Sequence, residues 1–235
     1  LLMHILLHFH KKMKLFQIWI LINSSVFIMV YFLLFLLLKY SYKKSILICS
    51  ISTILTVGIE ILRVIYAFDI IWVKPIESVL QIIIIQGTAL LLSEKKDSYT
   101  VFIGFSSFNF VLEGNVLACG AVVFLENRIV AMIVCTITNI LVLVYLTCTI
   151  REVCRNILSK EILWWFCLFP GMCYIIFYFL LYFPVQFEQN RENVFVAISL
   201  MLMVIFLYVL IIKYIYARLE ERRLVWKNKA MHAYV

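Results

Sequence analysis

Glu60 and Arg63 stand three residues apart inside an apolar run, a spacing that puts both on one face of a helix, where they can pair. An unpaired charge in lipid costs about 2.5–3.5 kcal/mol on insertion scales, and pairing removes much of that. Such a pair either holds two helices together or belongs to a ligand or gating site. Glu113 is more informative. It sits mid-run in Phe108-Asn109-Phe110-Val111-Leu112-Glu113-Gly114-Asn115. A carboxyl in that setting must be protonated, paired or facing water. Its candidate roles are a proton or ion relay, a ligand contact, and a hydrogen-bond cluster with Asn109 and Asn115. Arg63 is a candidate partner from another helix. Gly114 and Gly120 either let a neighbouring helix approach or bend the span.

No complete catalytic centre accompanies these groups. The four histidines, His4, His8, His10 and His232, all lie at the chain ends, so no intramembrane cysteine has a histidine base beside it. There is no Gly-x-Ser-x-Gly elbow, no His-Glu-x-x-His zinc motif and no glycine-rich phosphate loop. Glu60-x-x-Arg63 is only a fragment of an intramembrane glutamate protease pattern. The seven cysteines form no Cys-x-x-Cys pair and mostly sit in apolar runs, where a thiol behaves as a small hydrophobe. No catalytic residue, metal site or cofactor is assigned to the chain.

The elements that position these side chains follow from composition. Of 235 residues, 65 % are apolar and 14 % charged, and the mean hydropathy is +1.05. Soluble domains run at about 45–50 % apolar and about 25 % charged, so the surplus apolar surface requires lipid. The expected fold is all-α, a polytopic transmembrane bundle of about seven spans followed by a C-terminal cytoplasmic helix. The spans are Leu15–Leu38, Ile46–Ala67, Ser78–Leu92, Tyr99–Leu125, Ile129–Ile150, Ile162–Pro184 and Val194–Tyr216. The third is short, and can begin near Ile70 if Lys74 and Glu77 snorkel to the interface. Trp19, Trp72, Trp164, Trp165 and Tyr182 lie toward span ends and read as interfacial anchors.

Net charge is +8, and its distribution sets an expected orientation. Lys39, Lys43 and Lys44 lie in the first connection, Lys95 and Lys96 in the third, Arg151, Arg155 and Lys160 in the fifth. The second, fourth and sixth hold only Lys74, Arg128 and Arg191. Lys213 at the end of the last span and Arg218, Arg222, Arg223, Lys227 and Lys229 beyond it add six more. By the positive-inside rule the odd connections and the tail are cytoplasmic and the N-terminus is outside, in a multi-pass plasma-membrane protein. Lys11, Lys12 and Lys14 disagree with this orientation, although a start at Met13 would remove two of them. The basic surplus points to anionic lipid and not to nucleic acid.

Beyond the last span the sequence changes character. Leu224, Asn228, Met231 and Val235 step by four, three and four residues, with Ala217 one heptad before Leu224. This is coiled-coil spacing with a polar seam residue at Asn228, read as the first part of a homodimeric coiled coil, the other reading being a solvated basic helix on the membrane surface. The chain stops inside the pattern, so the tail reads as the opening of a longer signalling helix.

The stretch Trp164–Tyr182, the outer Arg191-Glu192-Asn193 loop, the span after it and the Leu219-Glu220-Glu221 helix together resemble GHKL-type sensor histidine kinases, relatives of the peptide-quorum sensors of Gram-positive bacteria. The resemblance covers the architecture of the whole chain and is residue-level over 162–235. It implies a membrane sensor, a dimerising helix with a phosphoacceptor histidine, an ATP-binding domain and a response-regulator partner. Here the phosphoacceptor run and the ATP-binding motifs are missing, and His232 lacks the Arg-His-Asp setting, so ATP is implied only for a kinase core outside this chain.

The expected organisation is an N-terminal segment over 1–14, a sensor bundle over 15–216 and the start of a signalling helix over 217–235. The expected function is sensing of a peptide or small-molecule signal, passed through the last span to a dimeric helix. Glu60, Arg63, Asn109, Glu113 and Asn115 are the ligand or helix-coupling candidates, and Leu219, Leu224, Asn228, Met231 and Val235 the signalling-helix residues. Two other readings stay open: a small transporter or channel using Glu60, Arg63 and Glu113, and a structural subunit whose polar residues only pack helices.

Overall fold

In hydrocarbon every backbone N–H and C=O must be satisfied within its own segment, so continuous apolar runs become helices. The computed structural model describes residues 2–66, 73–150, 167–173, 175–176 and 191–233, and these are helical apart from short connections. Side chains are described from Ile18 onward, except at 64–65, 74–75, 149–150, 191–193, 215, 219, 222, 226 and 228–233. The helices are α1 (Leu2–Phe35), α2 (Tyr42–Tyr66), α3 (Val73–Leu92), α4 (Ser98–Leu125), α5 (Arg128–Tyr145) and α6 (Arg191–Ala233). A π-helical turn, Leu146–Ile150, extends α5. Residues 167–173 and 175–176 are also helical.

Among the described residues, five helices are long and apolar enough to cross a membrane, over Ile18–Phe35, Tyr42–Arg63, Ser98–Leu125, Arg128–Cys148 and Val194–Val225. A shorter apolar stretch, Ile76–Leu92, lies within α3. The sixth expected span, Ile162–Pro184, falls largely outside the described residues. The backbone of the expected N-terminal segment over 1–14 is helical from Leu2 and continuous with the first apolar span. The third expected span starts earlier than Ser78. Helix α3 begins at Val73 and its 20 residues make it about 30 Å long, although its apolar stretch covers only Ile76–Leu92.

The connections are built by local caps. At the end of α4, Glu126 adopts a left-handed conformation (φ 51°) and returns its N–H to the Val122 carbonyl. Asn127 then caps α5 by accepting from the N–H groups of Ile129 and Val130 at 3.0 and 3.3 Å. These two residues reverse the chain and make α4 and α5 an antiparallel pair. At the opposite end of α4, Asp97 accepts from the Thr100 N–H at 3.1 Å.

The first and third connections are joined. Lys39 N–H donates to the Leu92 carbonyl and Glu94 N–H to the Leu37 carbonyl, both at 2.7 Å. Lys39, Lys43, Lys44, Lys95 and Lys96 therefore lie at one end of the bundle, the sharing of a side that the charge count expects.

Helix α4 is the hub. It packs against α1, α3, α5 and α6, and 17 of its 28 residues are buried. Gly114 admits α5 closely, since a Cβ there would lie 2.7 Å from Asn139 Oδ1. At Gly120 an added Cβ would make ordinary contact with Val194 of α6, at 3.6 Å. Hydroxyls tie the other helices. Thr88 donates to Ser52 at 2.8 Å between α3 and α2, and Thr56 to Ser25 at 3.4 Å between α2 and α1.

Candidate functional site

The five candidate residues fall into three settings. Glu60 and Arg63 do pair, as their spacing expects. Arg63 holds Glu60 with two bonds, Nη2 to Oε1 and Nε to Oε2 (3.2 Å). Arg63 Nε also meets Oε2 of Glu77 on α3 at 2.5 Å. Gln81 Nε2 donates to the other Glu77 oxygen at 2.8 Å. All four side chains are buried. Glu77 therefore does not snorkel to the interface. The end of α2 and the start of α3 lie side by side, and an internal cation satisfies a buried carboxylate better than a strained reach to water does.

The expected cluster of Asn109, Glu113 and Asn115 is split. At about 100° per residue, Asn109 and Glu113 lie about 40° apart around α4, and Asn115 lies about 160° from Glu113. Asn115 faces α1 and α5. It exchanges hydrogen bonds with Ser24, Asn115 Nδ2 donating at 3.1 Å and Ser24 donating to Oδ1 at 3.3 Å. The Cys135 thiol also donates to Asn115 Oδ1, at 3.4 Å. Asn109 faces α6. Its Nδ2 donates to the Pro170 carbonyl at 3.0 Å and to the Tyr208 hydroxyl at 3.3 Å, and that hydroxyl donates to Ser106 at 3.0 Å. Tyr208 is thus bonded to α4 twice. It also packs edge-on against Phe102 and Phe169 and tilted against Phe110.

Glu113 joins neither network. It lines a cavity of about 390 Å³ bounded by α1, α4, α5, the π-helical turn and α6. Glu113 is the one charged residue among the described residues that line it, and it makes no hydrogen bond or ion pair among them. Tyr31 lines the same cavity, and its buried hydroxyl has no hydrogen-bond partner among the described residues. The walls are otherwise mainly apolar, with Phe35, Phe102 and Phe110 on one side and Leu141, Val142 and Ile205 on the other. A small volume, apolar walls and a few convergent polar groups are the ordinary features of a small-molecule site. The π-helical turn supplies Leu146 to the wall, and such turns recur at functional sites.

Arg63 and Glu113 share no ion pair. Arg63 is engaged at the α2–α3 contact, and Glu113 faces the cavity. Among the described residues no group of three His, Cys, Asp or Glu side chains could hold a metal ion.

Of the signalling-helix residues, Leu224 is exposed on α6. The side chains of Leu219, Asn228 and Met231, and the whole of Val235, lie outside what is described.

Tyr31, Glu77, Ser106, Asn139 and Tyr208 were not singled out from sequence. A signal existed for Tyr208. Val194, Ala197, Met201, Val204 and Tyr208 step by three, four, three and four residues, and all five are buried. No comparable signal marks Tyr31, one aromatic among many in an apolar run. No protein-family model, curated protein or solved structure matches the chain.

Proposed function

We propose that the chain is a membrane-embedded signal-sensing bundle that reads a ligand in the Glu113 cavity and passes the result along α6, as the input region of a two-component sensor histidine kinase. The observation that carries this reading is the double character of α6. Its middle supplies Ile205, Tyr208 and Val209 to the cavity wall, and the same helix continues to Ala233 without interruption. Its 43 residues span about 65 Å, roughly twice the hydrocarbon thickness, so one rigid element reaches from the cavity to well outside the bilayer.

The two faces of α6 suit the two tasks. Tyr208 belongs to the stripe packed on α4. Leu224, 16 residues later, lies about 160° around a straight helix from Tyr208. The heptad seam through Leu224 runs back through the exposed Leu210, Met203 and Val196. That face is open to a second copy of the helix, while the opposite face stays in contact with the cavity. Ligand occupancy then favours one of two α6 positions, because Tyr208 can keep or lose its bonds to Asn109 and Ser106.

In the full reading the bundle has seven spans, with the N-terminus outside and the tail cytoplasmic. The basic residues of the tail lie at the anionic leaflet. The homodimeric helix drives an ATP-dependent kinase core and, through it, a response regulator. The test grafts a histidine-kinase core after Val235 in each of several helical phases and measures phosphotransfer in vesicles. Tyr208→Phe is expected to shift output in at least one phase. Equal output from Tyr208→Phe and the parent fusion in every phase overturns the reading.

A further inference from the structure

Glu113 makes no hydrogen bond or ion pair among the described residues that line its cavity, and what surrounds it specifies what it would bind. We propose that the cavity takes a small apolar amine, with its ammonium on the Glu113 carboxylate and its hydrocarbon body between Phe35, Phe102 and Phe110. The inference deepens the reading of the cavity as a ligand site and is independent of whether α6 carries a signal.

Four observations converge on that ligand class. First, Glu113 is the one charged residue among the described lining residues and forms no ion pair with any described residue. A carboxylate in a low-dielectric cavity gains most from a positive ligand. An anionic ligand is repelled by that charge, a neutral one leaves the carboxyl to take up a proton, and an ammonium alone stabilises the ionised form.

Second, Tyr31 lines the same space, its ring packed against Phe35 and Phe110, and its buried hydroxyl has no hydrogen-bond partner among the described residues. An ammonium carries three donors. One directed at Glu113 leaves others for the Tyr31 oxygen, so one ligand group satisfies both orphans.

Third, Phe35, Phe102 and Phe110 line the cavity, and aromatic rings both attract a cation and accept an apolar body. Fourth, at about 390 Å³ the cavity lies near the lower end of the range for small-molecule sites, about 300–1,000 Å³. It holds a one- or two-ring molecule and not a folded peptide.

The test uses the full chain in phosphatidylcholine nanodiscs. Three fluorescent probes share one ring system: 1-naphthylmethylamine, the neutral 1-naphthylmethanol and the anionic 1-naphthoate. Partitioning into empty nanodiscs is subtracted. The expected result is saturable binding of the amine, at least tenfold tighter than the alcohol, with no saturable binding of the carboxylate. Glu113→Gln should weaken the amine about tenfold or more and leave the alcohol unchanged, as loss of a charge-assisted hydrogen bond requires. Tyr31→Phe should weaken the amine by a smaller factor.

Equal affinity for amine and alcohol in the unmodified chain overturns the proposal, and that comparison needs no variant to fold. Amine binding that survives Glu113→Gln in a protein with unchanged Tm also overturns it. Amine binding without any effect on the fused kinase sustains the ligand class while removing the signalling reading. A Tyr208→Phe output shift with no amine binding does the reverse.

Discussion

Replacing Arg63 by methionine should be the most damaging single change at the α2–α3 contact. One guanidinium holds two buried carboxyls, Glu60 through two bonds and Glu77 at 2.5 Å. Unit charges about 4 Å apart in an effective dielectric of about 20 attract by about 4 kcal/mol. Removing the cation forfeits that attraction and leaves two carboxyls facing each other. Protonation of one of them limits the loss, so the expected cost is about 3 kcal/mol, near the lower edge of the 3–5 kcal/mol range for breaking a buried pair. Glu77→Gln should cost less, about 1–2 kcal/mol, because Arg63 keeps Glu60. The informative comparison is the triple variant Glu60→Leu, Arg63→Met, Glu77→Leu. A buried ion cluster is often neutral or unfavourable against packed hydrocarbon, so the triple should return to within about 1 kcal/mol of the parent. Stability is read from SDS titration in dodecylmaltoside micelles, followed by tryptophan fluorescence. An Arg63→Met protein within about 0.5 kcal/mol of the parent, or a triple variant as unstable as the single one, would refute the reasoning.

Further outcomes test the packing and topology. Gly114→Ala should destabilise by about 1–3 kcal/mol through overpacking against Asn139, and adding Asn139→Ala should recover part of the loss. Asn127→Ala should cost about 1 kcal/mol, measured by the same titration, because it removes the cap on α5. In a cysteine-free background, Lys43→Cys and Lys96→Cys should react with a membrane-impermeant maleimide from one side of sealed vesicles and Arg128→Cys from the other. Labelling of Lys43→Cys and Lys96→Cys from opposite sides contradicts the paired first and third connections.

Some of the site was legible before any tertiary structure. The Glu60–Arg63 pair follows from a three-residue spacing, which alone places two side chains on one helical face. Glu113 stood out because a carboxyl in the middle of an apolar run is costly wherever it points. The split of Asn109, Glu113 and Asn115 was also computable, since 100° per residue sends Asn115 to the far side of α4 from Glu113. Glu77 and Tyr208 were harder. Glu77 lies close enough to the start of its apolar run for water or Arg63 to serve it equally well, and only the contact between the ends of α2 and α3 decides between them. Tyr208 looks in sequence like any aromatic in a membrane helix, and its partners lie about 100 residues away on α4.

What the sequence determined by itself is what depends on local energetics. Apolar runs without internal partners must be helical in lipid, lysine-rich connections alternate with lysine-poor ones, and charges at helical spacing pair. What only the tertiary structure decided is which faces meet. A helix in lipid lacks the strong polar-versus-apolar asymmetry that orients a helix in water, because the lipid-facing and protein-facing sides are almost equally hydrophobic. Helix α4 shows the consequence: it is apolar nearly all round, yet it became the hub against which α1, α3, α5 and α6 pack. The cavity beside Glu113 arises from that arrangement, and no single segment encodes it.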